Sequence, residues 1–178
     1  MSEVQPLKQI DGVFVVSLQS HGDERGRFIE TFRKEWIPGA QEMVQGNRSD
    51  SKQGVLRGLH YHLFQSDYWY VVAGRAVAAL YDFRESSSTS GNWDLVEMGD
   101  GADVGLYIPP GVAHGFYAVT DVTLTYLVDQ YFDGSDEFGI KYDDPQVGIV
   151  WPEGDRILSE RDLANPPLDG VDAENRPA

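Results

Sequence analysis

Three of the four histidines in this 178-residue chain fall in two short segments whose spacing could carry chemistry. The first, GVLRGLHYHLFQSDYWYVVAG at 54–74, sets His60 and His62 one residue apart and brings Asp67 shortly after them. The second, IPPGVAHGF at 108–116, supplies His114. Residues i and i+2 of a strand face the same side, so His60 and His62 can both point into one interior. A third imidazole from a neighbouring strand, with a carboxylate, would complete a site for Fe, Mn, Ni or Zn. An isolated HxH is otherwise a pair of surface or core histidines, so the elements around it decide the matter.

Those elements are short β-type runs between turn residues: GVFVVSL, GRFIETF, WYVVAG, AVAALYDF, VGLYIP, GFYAV and VTLTYLV. Runs of this length bounded by Gly, Pro, Asp and Ser predict strands. Two or three helical turns are expected at RKEWIPG and at SERDLA, where Ser159 could cap the latter. One all-β domain over 1–178 follows, a sandwich or small barrel of the jelly-roll class, with 170–178 as a loose tail. The chain has no cysteine, which excludes disulfides and thiolate metal sites. Its 14 Lys+Arg against 29 Asp+Glu give a net charge of −15, a field that repels nucleic acid and anionic membranes. An anionic ligand would therefore need local arginines. With no signal-peptide pattern or apolar run of membrane-spanning length, a soluble cytoplasmic protein is expected.

Written as a pattern, the first segment is G-x5-H-x-H-x4-D-x6-G from Gly54 to Gly74, and Pro109, Gly111 and His114 supply P-x-G-x-x-H. Both match the two motifs of cupins, except that Asp67 stands where Glu is usual and Ala118 where Asn is common. The expected fold is thus a cupin-type jelly roll, a double-stranded β-helix with a few short helices. More tightly, the chain resembles the dTDP-4-dehydrorhamnose 3,5-epimerases, a branch of the cupins that works without metal. The segments DERGRFIETF (23–32), QGNRS (45–49), GVLRGLHY (54–61), DFRESSSTSGNW (82–93), IPPGVAHGF (108–116), EFGI (137–140) and ILSERD (157–162) carry the resemblance.

The resemblance implies a homodimer that epimerises a nucleoside-diphosphate 4-keto-6-deoxyhexose at C3, C5 or both, with no cofactor. A C–H beside a ketone is a weak acid, so such a site needs a base, an acid across the ring and a group to hold the enolate oxygen. Carried over by position, His60 is the base, Asp162 its partner and Tyr126 the acid. Arg57 and Arg25 would hold the pyrophosphate and sugar. Phe28, Glu30, Gln45 and Asn47 would line the nucleotide and sugar pocket, and His114, Glu137 and Arg161 also fall on binding positions.

The match breaks at three places. His62 stands where the family has glutamine, Asp67 where it has lysine, and Phe132 where it often has a second tyrosine. The family's lysine is placed to stabilise charge on the C4 oxygen, a role commonly worth ~3–4 kcal/mol. Two accounts of Asp67 follow: it pairs with a nearby arginine or hydrogen-bonds a different substrate, or it joins His62 and His114 in holding a divalent ion. The alternatives to an epimerase are accordingly a metal-dependent cupin enzyme on the same scaffold and a non-catalytic sugar-nucleotide binder.

Overall fold

In the computed structural model, residues 2–178 are described. The strands, in chain order, are β1 (Glu3–Pro6), β2 (Phe14–Ser17), β3 (Ser20–Asp23), β4 (Gly26–Ile29), β5 (Gln45–Ser51), β6 (Leu56–Tyr61), β7 (Asp67–Ala73), β8 (Arg75–Asp82), β9 (Trp93–Gly99), β10 (Val104–Ile108), β11 (Val112–Ala118), β12 (Val122–Val128) and β13 (Phe138–Gly139). One α-helix, α1 (Glu160–Ala164), starts at the predicted Ser159 cap, and RKEWIPG forms a single 3-10 turn at Lys34–Trp36. The strands pair into a six-stranded sheet, β1-β2-β10-β7-β12-β5, and a five-stranded sheet, β13-β6-β11-β8-β9, with β3-β4 as a separate hairpin. This is the expected all-β jelly roll.

Alternation on the strands explains the layering. In β7, Trp69 and Val71 turn inward, while Tyr68 turns outward and donates to the Thr31 carbonyl at 2.8 Å. In β8, Ala76, Ala78 and Leu80 face the same interior as Trp69, Leu106 and Phe116. This apolar set fills part of the space between the two sheets. The outer face of the five-stranded sheet is covered by the C-terminal segment, with Ile140, Val147, Trp151 and Val171 against Leu59, Tyr61, Tyr81 and Tyr117. The tail expected to be loose is fastened there. Val171 is buried, Asn175 accepts from the Tyr61 hydroxyl at 2.9 Å, and Arg176 donates to the Val171 and Leu168 carbonyls.

Gly74 is where the chain leaves one sheet for the other, a single residue between β7 and β8. Its φ of +82° suits glycine, and a Cβ there would lie 1.9 Å from the Asp121 carbonyl oxygen. Both costs fall on backbone, which cannot step aside. Gly74→Ala is expected to destabilise the fold by about 2–4 kcal/mol, lowering Tm by about 5–15 °C in calorimetry. An unchanged Tm would contradict this packing.

Candidate active site

Between the sheets lies a polar cavity of about 230 Å³. The six-stranded sheet contributes Ser49 from β5, Asp67 and Trp69 from β7, and Leu124 and Tyr126 from β12. The five-stranded sheet contributes Arg57 and His60 from β6, and His114, Gly115 and Phe116 from β11. His62, Gln65, Glu137 and Arg161 complete the lining from loops and from α1. His60 and His114 are register partners on paired strands, which is why two distant sequence segments meet here. The strands approach closely beside them: a Cβ on Gly115 would sit 2.4 Å from the Arg57 carbonyl oxygen.

His60 Nε2 lies 2.6 Å from Asp162 Oδ1. Ser159 donates to the other carboxylate oxygen at 2.9 Å and accepts from the Asp162 N–H, so the helix cap also fixes the carboxylate. Burial acts to push the Asp162 carboxyl up. The His60 hydrogen bond and charge, with the bonds from Ser159 and the Gly58 N–H, outweigh it and hold the carboxyl below its usual value. An ionised Asp162 only accepts, so Nε2–H of His60 donates, and in the neutral ring Nδ1 keeps the free lone pair.

A depressed carboxyl stabilises the fold above its unfolded pKa of about 3.9, and that contribution disappears as pH falls through the lower folded value. Asp162→Asn is therefore expected to cost about 2 kcal/mol in urea unfolding at pH 7, with the gap to wild type closing as pH falls below about 4. A gap that stays constant into acid would show that the carboxylate charge is not what stabilises.

Tyr126 enters the cavity from the opposite sheet. Burial first, then the charges of Asp67 and Glu137, push its phenol up against the opposing pull of Arg57. The hydroxyl thus stays protonated at neutral pH. Arg57 donates to Ser51 Oγ at 3.0 Å and to the Asp50 carbonyl at 3.4 Å, with no carboxylate partner among the described residues. Arg161, by contrast, pairs with Glu137 at 2.6 Å on the rim.

Asp67 is buried and, among the described residues, no arginine pairs with it. Its carboxylate accepts from Gln65 at 2.8 Å and from the Trp69 indole at 2.9 Å, and His114 Nε2 stands 4.0 Å away. Burial pushes the His114 imidazole down to about 4, against the pull of Asp67, so the ring is neutral at pH 7. His62 donates from Nδ1 to the Asp136 carbonyl at 2.6 Å, and the Asp136 carboxylate receives the Leu63 and Phe64 N–H groups.

The remaining predicted residues lie elsewhere. Arg25 and Phe28 sit on the exposed β3–β4 hairpin, with Arg25 held by Asp23 and Phe28 69% exposed. Glu30 pairs with Arg33. On β5 Gln45 donates to Asn47 and accepts from the Phe132 N–H of the loop after β12, and neither Gln45 nor Asn47 is a cavity-lining residue. Ser49, Gln65 and Trp69 line the cavity without having been singled out. The period-2 alternation from Asn47 to Ser49, and through Gln65, Asp67 and Trp69, was the signal that could have found them.

Two sheets enclosing a histidine–aspartate dyad, a facing tyrosine and an unpaired arginine define a cupin-type jelly roll with an acid–base pocket. The sequence model of dTDP-4-dehydrorhamnose 3,5-epimerase matches residues 8–170. A protein of that description from Methanothermobacter thermautotrophicus is 35% identical, over 94% of this chain and 96% of its own. The spore coat polysaccharide biosynthesis protein SpsL of Bacillus subtilis is 38% identical over 80% of this chain and 96% of its own. The crystal structure of a dTDP-6-deoxy-D-glucose-3,5-epimerase from Legionella pneumophila, in complex with dTDP-4-keto-L-rhamnose, superposes with a TM-score of 0.94 at 36% identity. It covers 99% of this chain and 98% of that one. This chain belongs to the dTDP-4-dehydrorhamnose 3,5-epimerase family, isomerases of deoxysugar biosynthesis.

Proposed function

We propose that the cavity epimerises a dTDP-linked 4-keto-6-deoxyhexose at C3, C5 or both, with His60 as base and Tyr126 as acid. The observation that carries this reading is that the two groups come from opposite sheets into one cavity, His60 from β6 and Tyr126 from β12. A sugar ring lying between them would lose a proton on one face and gain one on the other, which inverts the carbon. Asp162 acts through His60 as a positioning residue, fixing the tautomer and stabilising the imidazolium. Base, acid and anion-binding arginine all come from the chain, so these proton transfers call on no organic cofactor.

Arg57 is the cation placed to hold the diphosphate, since it carries positive charge into the cavity with no carboxylate to neutralise it. Arg57→Gln is expected to weaken dTDP binding about 30-fold or more in calorimetric titration, by loss of a charge-assisted contact of about 2 kcal/mol. Turnover of dTDP-4-keto-6-deoxyglucose, followed by NMR, tests the activity itself. Persistent absence of epimers from protein that binds dTDP would refute it.

The same reading makes the protein a homodimer. Arg25 and Phe28 stand on a hairpin away from their own chain's cavity, so they reach a bound nucleotide only by crossing to a second copy. A monomeric mass by light scattering would exclude that assembly. Among the described residues no helix is long and apolar enough to cross a membrane, and a cytoplasmic location is part of this proposal.

A further inference from the structure

We infer that His62, Asp67 and His114 form a binding site for one divalent transition-metal ion. One ligand atom from each lies within 4.8 Å of the others, and all three residues are buried. The hydrogen bonds fix what these atoms are. His62 uses Nδ1–H on the Asp136 carbonyl and His114 uses Nδ1–H on the Val112 carbonyl at 2.9 Å, so each neutral ring turns an Nε2 lone pair free for the cluster. Backbone carbonyls that hold the distal N–H are the usual outer support of metal-ligating imidazoles.

Gln65 and Trp69 orient the Asp67 carboxylate in the same way, one donor to each oxygen. No Lys or Arg among the described residues pairs with Asp67, and each of its oxygens accepts a single bond from a neutral side chain. Three acceptors thus converge in a buried space, with no Lys or Arg among the described residues paired to them, an arrangement that a cation completes. Ligand bonds of about 2.0–2.2 Å would draw the atoms closer by roughly 1–2 Å. Two imidazoles and one carboxylate select Fe, Co, Ni or Zn over Mg or Ca, and leave open positions. When bound, the ion would supply positive charge in the place where the family has its lysine. The site leaves the proton-transfer pair intact, because His60 is already committed to Asp162.

The test uses full-length protein stripped with chelator, titrated with Co²⁺ and Zn²⁺ by calorimetry, with the visible ligand-field absorption of Co²⁺ as a second readout. One ion per chain is expected. His62→Gln and Asp67→Asn should each weaken binding about 100-fold or more, and His60→Asn and His21→Gln should leave it unchanged. Circular dichroism melts confirm that each variant is folded. No saturable binding to the folded wild type would overturn the inference. So would binding that survives in both His62→Gln and Asp67→Asn, or that is lost in His60→Asn. These readouts do not involve turnover, so an inactive protein that binds the ion would count against the epimerase reading alone.

Discussion

His60→Asn is expected to slow proton exchange at C3 and C5 of a bound 4-keto-6-deoxy sugar by about 10³-fold or more. Proton transfer by a positioned base commonly contributes 10²–10⁴-fold, and asparagine keeps a donor for Asp162 while removing the basic nitrogen. His60 is the imidazole in the cavity with a carboxylate at hydrogen-bond distance, 2.6 Å, whereas His62 and His114 lean on backbone carbonyls. Only His60 therefore has a directly hydrogen-bonded carboxylate to stabilise the charged form produced by accepting a proton; His114 stands 4.0 Å from Asp67 and burial holds it neutral. The variant should bind dTDP like wild type, because Arg57 is untouched. Exchange measured by NMR in deuterated water at the wild-type rate would move the base to another residue.

Tyr126→Phe is expected to behave differently, and the contrast is the stronger test. The base still removes the proton and can return one to the same face, so solvent exchange with retention continues. Inversion needs a donor from the other sheet, and removing the hydroxyl should cut formation of the inverted sugar by about 10²–10³-fold. The raised phenol pKa fits a group that must arrive protonated. NMR that resolves exchange from inversion separates the two rates. Equal loss of both would mean that Tyr126 does not act in the second transfer alone.

The strand runs and the HxH segment were legible because alternation is local: His60 and His62 do line one cavity. Their division of labour was not. Asp162 reaches His60 from 102 positions away on a capped helical turn, a contact that no spacing encodes and that only the resemblance suggested. Asp67 was expected to pair with an arginine, to hydrogen-bond a different substrate or to hold an ion. Its visible partners are Gln65 and Trp69, on either side at period 2, which alternation permits but does not select. Arg25 and Phe28 carry the motif but do not line their own chain's cavity, since a hairpin's placement depends on tertiary packing. The tail was misjudged for a related reason. Its polar composition hides Val171 and the backbone and side-chain bonds that tie Asn175 and Arg176 to the sheet cover.

The central claim is that one cavity removes a proton from one face of the sugar and supplies one from the other. Its most direct test is wild-type turnover of dTDP-4-keto-6-deoxyglucose in deuterated water, with deuterium located in the product by NMR and mass spectrometry. The account predicts one solvent deuterium at every inverted carbon. Inverted product that keeps its original hydrogen, or no exchange in protein saturated with the substrate, would contradict it.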